Sequence, residues 1–191
     1  MRQPDIRSQR GLSLVEVLVT MVILAVGLLG LVGLQARLQI LQAESYQRAQ
    51  ALMLLKDMSG RIANNRNNAV AYVTGADAPV GVGMNCADIT LSTPPSRQQR
   101  DFVEWCNALQ GASEAIGTNQ VGAMVGGRGC IEDLSNGQYL VTVAWQGLAP
   151  ISAPPDTVAC GAGEFEEVGS VCEGDVCRRT VTTIVRIADL L

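Results

Sequence analysis

Apolar residues are massed at one end of this chain and spaced at regular intervals through the rest. Between Gly11 and Gln35 the only charged side chain is Glu16, and residues 12–34 form a predominantly apolar run of 23. As a helix rising ~1.5 Å per residue, that run is roughly 34 Å long. A hydrocarbon core of about 30 Å is within its reach. The apolar positions then thin out but keep a helical rhythm: Leu34, Leu38, Leu41, Leu52, Leu55, Met58 and Ile62 recur at spacings of three, four and seven with one gap. The helix is therefore predicted to continue as an amphipathic element to about Ile62. Asn64, Asn65, Asn67 and Asn68 end it, because Asn favours caps and turns over helix interiors. The pattern divides the element into a membrane-spanning part, 12–34, and an amphipathic part, 35–63, which leaves a globular domain at 64–191.

Within that domain, residues 64–95 carry few periodic apolar positions and read mostly as loop, with 69–73 a short helical or extended piece. Ser96 followed by Gln99 has the form of a capping box. Phe102, Val103, Cys106 and Leu109 follow at helical spacing and predict a helix over about 97–110, with Trp105 a core residue. Residues 111–129 are rich in glycine and read as a mobile loop. Residues 137–147 alternate, with Tyr139, Val141, Val143 and Trp145 on one face, and predict a strand. The β-branched stretch 178–187 predicts a second strand, antiparallel to the first. Segment 148–177, with Pro150, Pro154 and Pro155, connects the two. The fold class predicted is α+β: a long N-terminal helix packed on a small antiparallel sheet and stapled by disulfides.

Charge and composition narrow the chemistry. The chain has 191 residues, a formal net charge of −4, no His and a single Lys, Lys56. Without His, imidazole acid–base chemistry and His metal ligation are excluded. No glycine-rich phosphate loop precedes a Lys-Ser/Thr pair, so no nucleotide cofactor is expected. No basic cluster marks the C-terminal part, which argues against nucleic acid as a partner. Lys56 lies beside Asp57, and the acidic pairs Glu132/Asp133 and Glu166/Glu167 read as solvated or loop charges. The expectation is a chain with no catalytic, cofactor-binding or metal site. Six cysteines, Cys86, Cys106, Cys130, Cys160, Cys172 and Cys177, all follow the apolar run. An even count beyond a membrane segment indicates an oxidised, extracytoplasmic domain. Fifteen pairings are possible; local proximity favours Cys86–Cys106 and Cys160–Cys177, leaving Cys130–Cys172.

The first ten residues carry Arg2, Arg7 and Arg10 against Asp5, and positive charge next to a span stays cytoplasmic. The N-terminus is thus expected inside and the C-terminal domain outside. The apolar run is longer than that of a secretory signal peptide and lacks a small-residue cleavage site after it. Gly27, Gly30 and Gly33 inside the span allow either close helix packing in lipid or a weak, extensible segment. Glu16 costs on the order of 2.5–3.5 kcal/mol if held charged at mid-bilayer. It either reaches the interface, or is protonated, or pairs with a cation when chains assemble.

The stretch Arg10-Gly11-Leu12-Ser13-Leu14-Val15-Glu16-Val17-Leu18-Val19 resembles the class III signal of type IV pilins and type II secretion pseudopilins. That resemblance implies a leader, 1–11, removed by a prepilin peptidase between Gly11 and Leu12. It implies N-methylation of Leu12 and a docking role for Glu16 in the growing fibre. Loss of the leader's +2 takes the net charge to −6. The strand ending Val-Ala-Trp-Gln-Gly, the helix with Trp105 and the Cys-Arg-Arg-Thr-Val segment resemble the PilV group of minor pilins, the type IV pilus modification proteins. The implied role is structural and non-enzymatic, in the inner membrane and the pilus, with other minor pilins and the major pilin as partners. A minor pseudopilin of a type II secretion system, or a membrane-anchored periplasmic binding or adhesin domain, are the alternatives.

Overall fold

The structure, a computed structural model, describes residues 13–89, 93–112, 115–116, 119–120 and 124–188. These fall into two units that divide between Gln42 and Ala43. Helix α1, Leu14–Asn64, enters both. In the first unit every described side chain is exposed, and the helix there is long and apolar enough to cross a membrane.

In the second unit α1 changes character. Gln47, Ala51, Leu55, Met58 and Ile62 are buried at spacings of four, four, three and four, which is one face of a 3.6-residue helix. A 3₁₀ turn, Arg66–Tyr72, follows where the asparagines interrupt the helix. Short strand β1, Val80–Gly81, and a second 3₁₀ turn, Cys86–Ile89, lead to α2, Arg97–Leu109. Ser96 caps α2 reciprocally: its hydroxyl accepts from Gln99 N at 3.1 Å, and Gln99 Oε1 accepts from Ser96 N at 2.8 Å. Strands β2, Ala115–Ile116, and β3, Asn119–Gln120, form a small separate hairpin. Strands β4, Arg128–Asp133, β5, Gln138–Gln146, and β6, Arg178–Arg186, complete the main sheet. Its order is β1-β4-β5-β6, antiparallel throughout. The long helix and the small antiparallel sheet are those expected from the pattern.

One core fills the space between helices and sheet. Leu55, Met58 and Ile62 of α1 and Phe102, Trp105 and Leu109 of α2 cluster with Ile131, Tyr139, Val141, Val143, Trp145, Val181 and Val185. Each large side chain buried in this way contributes about 1.5–3 kcal/mol. The opposite sheet face carries a smaller cluster of Cys130, Ala144, Cys160 and Phe165.

Residues 124–129 correct the reading of 111–129 as a mobile loop. Met124, Gly127 and Gly129 are buried, and β4 begins at Arg128. A Cβ on Gly129 would lie 2.1 Å from Trp105 Cη2, and one on Gly127 would lie 2.6 Å from Leu109 O. These glycines bring the strand against α2. Residues 64–95 likewise hold two 3₁₀ turns and a strand.

The bridges are Cys86–Cys106, Cys130–Cys160 and Cys172–Cys177. The first matches the proximity argument. The other two replace the expected Cys160–Cys177 and Cys130–Cys172. Cys130 sits on β4 with its side chain on the face away from the helices, and Cys160 packs on that same face. Cys177, just before β6, closes a tight loop with Cys172.

Candidate functional site

The sequence places its most specific signal at the N-terminus. Gly11 and Leu12, the expected cleavage and methylation positions, lie outside the described residues. Glu16 lies in the first turn of α1 and is exposed. Its amide donates to Ser13 O at 3.0 Å, and Val17 N donates to the same carbonyl at 3.2 Å. A carboxylate there faces the positive end of the helix dipole, worth about 0.3–1 kcal/mol. Thr20 turns its hydroxyl back onto Val17 O at 2.8 Å, which hides that polar group within the apolar run. A methyl group added at Gly27, Gly30 or Gly33 would meet nothing within 4 Å, so the helix surface there is open.

The remaining charged residues organise the second unit. Arg61 Nη1 donates to Asp101 Oδ1 at 2.9 Å and Glu104 Oε2 at 2.6 Å, and its Nε donates to Asp57 Oδ2 at 2.8 Å. Burial alone lowers the guanidinium pKa, but these three carboxylates outweigh it and raise it above its ordinary value. Tyr72 donates to Asp101 Oδ2 at 2.5 Å and accepts from Asn65 Nδ2 at 3.0 Å. Burial, then the hydrogen bond to Asp101, pushes its phenol up to about 12. Together these contacts pin α2 to α1. At the other end of the unit, Glu44 Oε1 accepts from Leu148 N at 3.0 Å, Ala149 N at 3.3 Å and Arg179 Nη2 at 3.4 Å. Arg179 also donates to Ala149 O. A Cβ on Gly147 would meet that guanidinium at 2.6 Å. The β5–β6 connection is thereby tied to α1.

Of the acidic pairs, Asp133, Glu166 and Glu167 are exposed, in keeping with solvated or loop charges, and Glu132 departs from that expectation. Glu132 is half-buried on β4; burial and then the charge of Asp77 push its carboxyl up. Asp133 Oδ1 caps the following turn by accepting from Ser135 N at 2.8 Å. Glu166 Oε2 accepts from Gly174 N at 2.8 Å and Asp175 N at 3.0 Å, holding the loop that Cys172–Cys177 closes. Arg178, buried, pairs with Asp175 and donates to Val158 O and Cys160 O. Lys56 is exposed, and its neighbour Asp57 serves Arg61 instead. Among the described residues no three His, Cys, Asp or Glu side chains converge as metal ligands would. Sequence reasoning missed Glu44, Arg61 and Arg179, because nothing local distinguishes a tether from a surface charge.

The family model described as the prokaryotic N-terminal methylation motif matches residues 6–32. No curated protein and no solved structure shows significant similarity to the chain. The matched segment spans the expected cleavage position, Glu16 and most of the apolar run. With the long apolar helix and the disulfide-stapled α+β domain, it supports a type IV pilin-like protein, a pilin or a pseudopilin, anchored in a membrane through its N-terminal helix.

Proposed function

We propose that this chain is a minor type IV pilin of the PilV kind, a structural subunit with no catalysis of its own. Prepilin peptidase cuts between Gly11 and Leu12 on the cytoplasmic side and the new N-terminal Leu12 is methylated. Residues 12–34 then hold the subunit in the inner membrane, with the domain that begins near residue 64 in the periplasm. From there it enters the pilus or primes its assembly, against other minor pilins and the major pilin. The observation that carries the reading is Glu16, the sole charge in the apolar run and the fifth residue after Gly11, inside a matched methylation motif. The six cysteines and the length of the outer domain favour this kind of subunit over a minor pseudopilin.

Glu16→Val tests the docking role. A carboxylate in lipid is costly, so its presence calls for a compensating contact. If it meets the N-terminal ammonium of a neighbouring subunit, the variant leaves that ammonium unmatched at a penalty of about 3–5 kcal/mol. Cleavage and membrane insertion then persist while recovery in sheared pili is lost. Glu16→Asp, with its shorter reach, is partly defective. Normal recovery of Glu16→Val in the pilus fraction would refute docking through this residue.

A further inference from the structure

Strand β6 is an edge, and its free side is legible from the register. Gly147 N donates to Cys177 O, and Ile187 N donates to Gly137 O, both at 2.8 Å. Both contacts lie on the same ladder as Gln138↔Arg186 and Tyr139↔Val185. In an antiparallel pair, hydrogen-bonded and non-hydrogen-bonded residue pairs alternate. The odd-numbered residues of β6 therefore bond to β5. The N–H and C=O groups of Thr180, Thr182, Ile184 and Arg186 point away from the sheet. No backbone or side-chain partner for these groups occurs among the described residues.

Natural edges are blunted by proline, bulges, short length or inward-pointing charge. Along residues 180–185 this one has none of those: its charges, Arg178, Arg179 and Arg186, sit at the two ends of the strand, and the inward-pointing Arg179 is taken up by Glu44. Strand β6 is nine residues long and pairs with β5 without a break in register. Residues 180–185, Thr-Val-Thr-Thr-Ile-Val, are strongly β-forming and uncharged. On the sheet face away from the helices, Thr182 and Arg186 are exposed and Ile184 is 45% exposed. Arg186 has no ion-pair partner among the described residues, whereas Arg178 and Arg179 are each paired.

We propose that β6 is a docking edge that accepts an extended segment of another protein as a fifth antiparallel strand of the sheet. The side-chain pattern specifies the occupant. Residues directly opposite on one face interact, so the incoming strand carries a carboxylate opposite Arg186. Two residues on it carries an apolar side chain opposite Ile184, and two further on a small β-branched one opposite Thr182. Backbone hydrogen bonds to the four free residues supply the affinity, and the carboxylate sets register and direction. This inference stands on the sheet geometry and does not rest on the pilin reading.

The probe is the labelled heptapeptide Glu-Val-Ile-Val-Thr-Val-Thr, with a Lys-first counterpart. Binding to the full-length chain in detergent is followed by fluorescence anisotropy. The Glu-first peptide is expected to saturate below about 1 mM, and the Lys-first peptide to bind roughly fivefold to tenfold more weakly. Thr182→Pro removes an outward N–H without touching the β5 ladder, as edge strands tolerate, and abolishes binding. Thr183→Pro removes an inward N–H and lowers the unfolding midpoint, whereas Thr182→Pro leaves it near wild type. Arg186→Glu, which alters no backbone bond, reverses the preference between the two peptides. The proposal is overturned by absence of saturable binding, by equal affinity for the two peptides, or by unchanged binding to Thr182→Pro. It is also overturned if the protein dimerises without peptide and Thr182→Pro abolishes that dimer, since the occupant would then be a second copy.

Discussion

Replacing Gly129 by alanine adds one methyl where there is no room for it. The new Cβ would stand 2.1 Å from Trp105 Cη2 and 2.6 Å from both Cζ2 and Cζ3. Gly129 has ordinary extended backbone, so the cost is steric and carries no contribution from a forbidden φ. Trp105 is fully buried, and its Nε1 donates to Leu54 O at 3.1 Å. Relief requires displacing the ring and lengthening that bond, or separating α2 from β4. Overpacking of a dense core costs typically 1–3 kcal/mol, and a weakened hydrogen bond adds about 1 kcal/mol. The expected loss is therefore about 2–4 kcal/mol, which for a domain of this size lowers the midpoint by roughly 2–4 °C per kcal/mol. Both tryptophans, Trp105 and Trp145, are buried in the unit with the sheet, so their fluorescence reports its unfolding in urea. Trp105→Phe supplies the second arm. In its background Gly129→Ala should cost at least about 1 kcal/mol less, because neighbours in contact are non-additive. A Gly129→Ala variant within about 0.5 kcal/mol of wild type, or strictly additive costs, would refute the packing argument.

Two further outcomes follow from the same unit. Glu132 has a folded-state pKa raised by burial and by Asp77, so its stabilising contribution is present below the unfolded carboxylate value and is lost as pH rises through the folded one. Glu132→Gln cannot ionise, and should raise the unfolding midpoint at about pH 7 with the gain vanishing near pH 4; an equal gain at both would contradict the assignment. Non-reducing peptide mapping should yield Cys86–Cys106, Cys130–Cys160 and Cys172–Cys177 with no free thiol. On loop-closure entropy, removing the bridge across 30 residues should cost about 3.6 kcal/mol and the bridge across 5 about 2 kcal/mol. The reverse order would show that strain or residual structure dominates.

The elements that the sequence disclosed are those whose signal is local. Helix α1 shows in its apolar run and then in its 3.6-residue rhythm. Helix α2 shows in the Ser96/Gln99 box, and β5 and β6 in strict alternation. Strand β4 was hidden because its glycines carry the usual mark of a loop. Gly127 and Gly129 instead answer to Leu109 and Trp105, contacts made across 18 and 24 residues of chain. The disulfide pattern followed from the same omission: once β4 holds Cys130 on the outer sheet face, Cys160 is its neighbour and Cys172 is not. Glu44, Arg61 and Arg179 were illegible for a related reason, since each acquires its role from partners on other elements. At the N-terminus the reverse holds: Gly11, Leu12 and Glu16 lie within six residues of one another, inside the segment that the methylation-motif family model matches.

Whether the chain is a processed pilin subunit is decided by the intact mass of the protein purified from membranes of cells with an active prepilin peptidase. The expected result is one species that begins at Leu12, lacks residues 1–11, and carries a single added methyl group of about 14 Da on the N-terminal amine. In cells without the peptidase the full chain of 191 residues should be recovered instead. Recovery of the unprocessed chain from peptidase-competent cells, or cleavage at any other bond, would contradict the proposed processing.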